Sequence, residues 1–215
     1  MPFYIIIIIL SFFVSLLGLP VRDNRKLPMV LFPFFLFLTS IVEYAGWKLS
    51  QTGHHTLLLY NLFSCFEFGF YLFFFTYIVK RKTRRSLFFI IPLYLIITLL
   101  NIFFFQGKTG FHTYSYMLGC VLVVIFSISY FFFLFRFPET GSLIKNPFFW
   151  IGIGLLFYYT CTVSLYGLQN FITDTMTYYD RVLTIAGDLL NVLLYTLFSI
   201  GFLCKINIRK LLASS

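Results

Sequence analysis

Three carboxylates interrupt otherwise apolar stretches of this 215-residue chain: Glu43, Glu67 and Asp188. Two amides, Asn61 and Asn191, lie in similar surroundings. An ionisable side chain in the middle of a membrane helix costs about 2.5–3.5 kcal/mol on insertion scales, so it turns toward other helices or a water-filled cavity. Acids and amides gathered there can hold a cationic or hydroxyl-rich small molecule, or carry a proton. Their spacing gives them company. Arg181, Thr184, Asp188, Asn191, Tyr195 and Ser199 recur every three or four residues, which places them on one helical face. Tyr60, Ser64, Glu67 and Tyr71 form a second stripe with Asn61 beside it. Tyr159, Thr162 and Tyr166 form a third, and Thr39, Glu43 and Trp47 a fourth. The expected ligand-binding set is Glu43, Tyr60, Asn61, Glu67, Asp188, Asn191 and Tyr195.

Each residue also has a structural reading. Glu43 can snorkel to the nearer interface. Glu67 can be an acid hydrogen-bonded to a tyrosine or asparagine of another helix. Asp188 can pair with Arg181 two turns away. Asn61 and Asn191 can bridge helices, as polar side chains commonly do in membranes. Asn101 lies near the end of its own apolar run. The three histidines, His54, His55 and His112, fall in polar breaks at spacings that match no metal-ligand motif, and they read as loop residues. No metal and no cofactor is expected.

The elements that must position these residues are long apolar runs. The chain is 60% hydrophobic and 11% charged, against about 25% charged in a soluble domain. With a mean hydropathy of +0.92, this makes it an all-α membrane bundle in a single domain covering residues 1–215. A span needs about 20 apolar residues. Seven candidates follow in order, at about 3–19, 30–48, 55–79, 86–105, 114–135, 147–170 and 182–204. The first run lacks a basic leader and a small-residue cleavage site, so it is expected to remain as the first membrane helix. The cysteines, Cys65, Cys120, Cys161 and Cys204, lie inside the runs and read as packing residues without disulfides.

Charge sets the expected orientation. Of sixteen Lys and Arg, only Lys48, Lys108 and Arg181 fall in the second, fourth and sixth breaks; the rest occupy the other breaks and the tail. Basic loops stay in the cytoplasm. The N-terminus is then outside and the C-terminus cytoplasmic, in the inner (cytoplasmic) membrane. The net charge of +9 reads as topology rather than as nucleic-acid binding. Trp47 and Trp150 suit interfacial anchors, and the run Lys80, Arg81, Lys82, Arg84, Arg85 suits anionic lipid headgroups. At 1.5 Å per residue Asn61 and Asp188 lie about 10 Å deep, Glu43 about 7 Å, and Glu67 and Asn191 near the midplane. A cavity in the outer half would serve them all.

Two stretches look alike, LGLPVRDNRKLPMVLFPFF and LFRFPETGSLIKNPFFW. One reading is a parallel repeat of three helices, a linker helix and three more, an arrangement found in transporters. The other is chance likeness in low-complexity sequence. The segments IVEY, YNLFSCFEF and NPFFWIGIGLLFYY resemble an uncharacterised group of small seven-helix membrane proteins of Bacteroidota. That resemblance implies the fold and brings no activity with it. Binding or transport of a small molecule is the leading expectation. A seven-helix sensor needing a separate output partner is one alternative. The other is an intramembrane lipid hydrolase, although no nucleophile elbow or zinc motif is present.

Overall fold

The computed structural model describes residues 1–18, 27–53, 55–79, 81–106, 110–137, 143–169 and 176–213. Within them the long elements are all helices: α1 (Phe3–Leu17), α2 (Leu27–Gln51), α3 (Leu57–Ile78), α4 (Arg81–Leu100), α5 (Thr113–Arg136), α6 (Pro147–Gln169) and α7 (Met176–Ala213). Each takes up one of the seven apolar runs. Five are long and apolar enough to cross a membrane; α1 and the apolar part of α4, Arg85–Leu100, are shorter.

Helix limits depart from the runs where polarity had marked the expected ends. Backbone hydrogen bonding continues through polar residues that are good helix formers, and Lys and Arg are among them. Thus α4 starts at Arg81 inside the basic cluster, and α7 runs from Met176 to Ala213, well past both ends of its apolar stretch. The fourth run ends differently, in a π-helical turn at Asn101–Phe105. There the Asn101 amide donates to Gln106 Oε1 at 2.7 Å and to Ser115 Oγ at 2.8 Å, tying α4 to the start of α5.

The packing is cyclic. α1 lies on α2, α2 on α3, α3 on α5, α5 on α6, α6 on α7, and α7 back on α1. Six helices close a ring, and α4 stands outside it against α3 and, less extensively, α5. Exchanging α1, α2 and α3 for α5, α6 and α7 leaves the six contacts of the ring unchanged, and only the placement of α4 breaks the correspondence. The outward faces are apolar: Phe13 on α1, Phe88, Phe89 and Ile96 on α4, Phe132 on α5 and Leu189 on α7 are all exposed. So much apolar outer surface is costly in water and suits a membrane.

At one end the ring is filled by aromatic side chains. Phe32 of α2 meets Phe70 and Phe74 of α3 and Phe198 and Phe202 of α7, at centroid separations of 5.4, 5.7, 5.0 and 5.6 Å, all edge to face. Phe74 also touches Phe148 of α6, and Phe75 touches Phe126 of α5. Phe32, Phe74, Phe75, Phe198 and Phe202 are completely buried. Glycine permits the close approach here: a Cβ on Gly201 would stand 3.0 Å from the Pro147 carbonyl oxygen. Arg85, Arg136 and Lys145 lie at this end and are exposed. Trp150 is held there too, its Nε1 donating to the Ile144 carbonyl at 2.8 Å. Lys80, His54 and the side chains of Arg81, Lys82 and Arg84 lie outside what the structure describes, and so does the expected headgroup contact of that basic run.

Candidate functional site

At the other end the ring is open inside. The C-terminal half of α2, the N-terminal half of α3, the start of α5, the C-terminal half of α6 and the N-terminal half of α7 surround a cavity of about 230 Å³. Glu43 of α2 and Tyr60, Ser64 and Glu67 of α3 line one side. Asn191 and Tyr195 of α7 line another, and Phe111, Tyr116, Tyr158 and Tyr166 complete the wall. A second chamber of about 410 Å³ lies between α6 and α7, lined by Thr162, Leu165, Leu183, Thr184, Gly187 and Leu190. Tyr116, Tyr158 and Tyr166 border both chambers.

Each glutamate receives a tyrosine hydroxyl. Tyr4 of α1 donates to Glu43 Oε2 at 3.1 Å. Tyr159 of α6 donates to Glu67 Oε1 at 3.0 Å. The Tyr71 hydroxyl is buried beside Glu67, outside good hydrogen-bond geometry with any described residue. A hydrogen bond to a charged group returns about 1.5–3 kcal/mol. Withdrawing a carboxylate from water costs several. Tyr159 at Glu67 therefore offsets only part of that cost, and at Glu43 the Tyr60 hydroxyl stands close enough to assist Tyr4; water, a proton or a cation in the cavity can supply the balance.

Of the seven expected residues, Glu43, Tyr60, Glu67, Asn191 and Tyr195 come together on this cavity. Glu43 does not reach outward along the helix; it points at Tyr4 and the cavity. Tyr60 is seated by Gly46, where a Cβ would collide with the tyrosine hydroxyl. Asp188 lines neither chamber, although it is near enough to Glu43 and Tyr4 to interact with both electrostatically. Asn61 is occupied elsewhere. Its Nδ2 donates to the Gly110 carbonyl at 2.9 Å, and its Oδ1 accepts the His112 backbone N–H at 3.1 Å. It is buried and clamps the chain entering α5.

Several hydroxyls of the polar stripes are satisfied on their own helix. Ser64 bonds the Asn61 carbonyl, Thr39 that of Phe35, Thr162 that of Tyr158 and Ser199 that of Tyr195. Such i−3 and i−4 bonds are local and carry no ligand information. Conversely, Tyr4, Phe111, Tyr116 and Tyr158 belong to the site but stand out in no stripe. For Tyr4 a signal existed: an antiparallel hairpin brings the start of the first run level with the end of the second, where Glu43 lies. For the others there was none in a chain with fifteen tyrosines and thirty-two phenylalanines. Among the described residues no three His, Cys, Asp or Glu side chains gather as a metal site.

Comparison with family models, with characterised proteins and with solved structures returns no match.

Proposed function

We propose that this chain is a seven-span inner-membrane protein, N-terminus outside and C-terminus cytoplasmic, that binds or transports a small molecule through the polar cavity of its outer half. The observation carrying this reading is the convergence of Glu43, Glu67, Asn191, Tyr60 and Tyr195, from three helices, on one cavity. Tyr60 stands beside Glu43, yet about 230 Å³ of space remains between the groups of the three helices. The cavity stands at the end away from exposed Arg85, Arg136 and Lys145, as the positive-inside rule requires of an outward-facing site. The aromatic plug at the basic end supports one-sided access. The exchange symmetry of the ring supports a parallel repeat of α1–α3 and α5–α7 with α4 as linker, an arrangement known among transporters.

Native mass spectrometry of the purified protein tests the reading, with wild type beside Glu67→Gln and Asn191→Leu. The expected outcome is a small molecule retained by wild type and lost from both variants. Identical spectra carrying only bulk lipid, at equal thermal stability, would sink it.

A further inference from the structure

Resting on that reading, we propose that the ligand is an amphipathic organic cation, its ammonium head in the acid-lined chamber and its apolar body in the leucine-lined one. The first chamber combines two carboxyls, Glu43 and Glu67, with a wall of aromatic rings. No Lys, Arg or His among the described residues lines it. Ring faces attract cations through their quadrupoles, and aromatic cages are a recurrent way to bind substituted ammonium groups. An anion would meet two acids and no donor stronger than a hydroxyl or amide. A bare metal ion would lack its ligands, because among the described residues no third acid, histidine or cysteine joins these two at metal-binding distance.

The second chamber supplies the other half of the ligand. Leu165, Leu183 and Leu190 give it an apolar side that the first chamber lacks, beside Thr162, Thr184 and the shared tyrosines. The Thr162 hydroxyl is already committed to the Tyr158 carbonyl at 2.8 Å, so it offers its methyl side to an occupant. The boundary between chambers is aromatic: Phe111 stacks on Tyr166 at 6.4 Å, and Tyr116 packs on both at 5.4 and 5.3 Å. One ligand can therefore lie across Tyr116, Tyr158 and Tyr166 with a charged end on one side and an apolar end on the other. Gly187 belongs to the lining of this chamber, and a Cβ there would meet nothing within 4 Å, which leaves room for a larger side chain to fill it.

Calorimetry on the full chain in nanodiscs of neutral lipid tests the assignment. The probes are benzyltrimethylammonium, tetramethylammonium, benzylphosphonate and phenyl glucoside. Benzyltrimethylammonium is expected to bind about tenfold or more tighter than the phosphonate and the glucoside, the order that desolvated cation–π contacts allow. Glu67→Gln should weaken it by a similar factor. It should also exceed tetramethylammonium, which lacks the apolar body, and Gly187→Leu should erase that difference. Leucine is the better helix former, so this variant is expected to melt no lower than wild type. Tighter binding of the phosphonate or glucoside, or cation binding indifferent to Glu67→Gln, overturns the assignment. If benzyltrimethylammonium does not bind while native spectra still retain a molecule, the cation is refuted and the cavity reading stands. If neither occurs, both readings fall together.

Discussion

Glu43 and Glu67 share a cavity yet depend on different helices. Glu43 is held by Tyr4 from α1, and Glu67 by Tyr159 from α6, so each bond joins two helices of the ring. His112 follows Phe111 of the cavity wall in the chain. It is buried before α5, its Nδ1 has no hydrogen-bond partner among the described residues, and burial pushes its imidazole below the ordinary value of 6.5. A fold that keeps a histidine neutral leaves the unfolded chain to take up the proton first. The stability held this way is fully present above the unfolded value and is lost as pH falls from there toward the folded one. The difference in melting temperature between pH 7.5 and pH 5 is a gap that His112→Gln should shift toward greater stability at pH 5. An unchanged gap in the variant would assign the pH dependence to other groups.

At the scale of elements, α2, α3 and α7 do two jobs along one length. Their halves at the basic end interlock through Phe32, and their other halves stand apart around the cavity. Phe32 is in contact with rings of α3 and α7 and is completely buried. Removing a buried phenylalanine ring costs about 3–5 kcal/mol through lost burial and the void left behind. Phe32→Ala should lower the melting temperature in detergent clearly. Phe13→Ala, an exposed ring on α1, should change it little, and comparable losses would mean that the plug is not a stabilising centre. The helices themselves were legible from run length. Their ends were not, because polarity marks where an apolar run stops while propensity decides where a helix stops. The site was legible in part for a similar reason. Spacing places Glu67 with Ser64, and Asn191 with Tyr195, on single faces. It does not say that Asn61, one position from Tyr60, turns to the loop before α5 instead.

For the whole molecule, the ring explains why one end can be packed and the other hollow without a separate lid or domain. It also makes orientation testable from its two ends. Cys65, Cys120, Cys161 and Cys204 are free and are first replaced. In that background Thr52→Cys, at the cavity end, should react in intact cells with a membrane-impermeant maleimide. Arg85→Cys, exposed at the basic end, should react only after permeabilisation. The reverse pattern would invert the proposed topology. Position along the chain was enough to suggest that topology, since charge counts survive any detail of packing. Closure of the ring by α7 against α1 was not legible, because the first and last runs carry no complementary mark.

That closure has a consequence for how the protein is made. Glu43 meets Tyr4 within the first hairpin, 39 residues apart in the chain. Glu67 must wait for Tyr159, 92 residues later. At a translation rate of roughly 5–20 residues per second, that is a delay of about 5–18 seconds. During it, Glu67 is an acid in a nascent membrane segment without its hydroxyl partner. A chain that stalls after α5 displays that unpaired acid, whereas a finished chain hides it, so Glu67 distinguishes an incomplete bundle from a complete one.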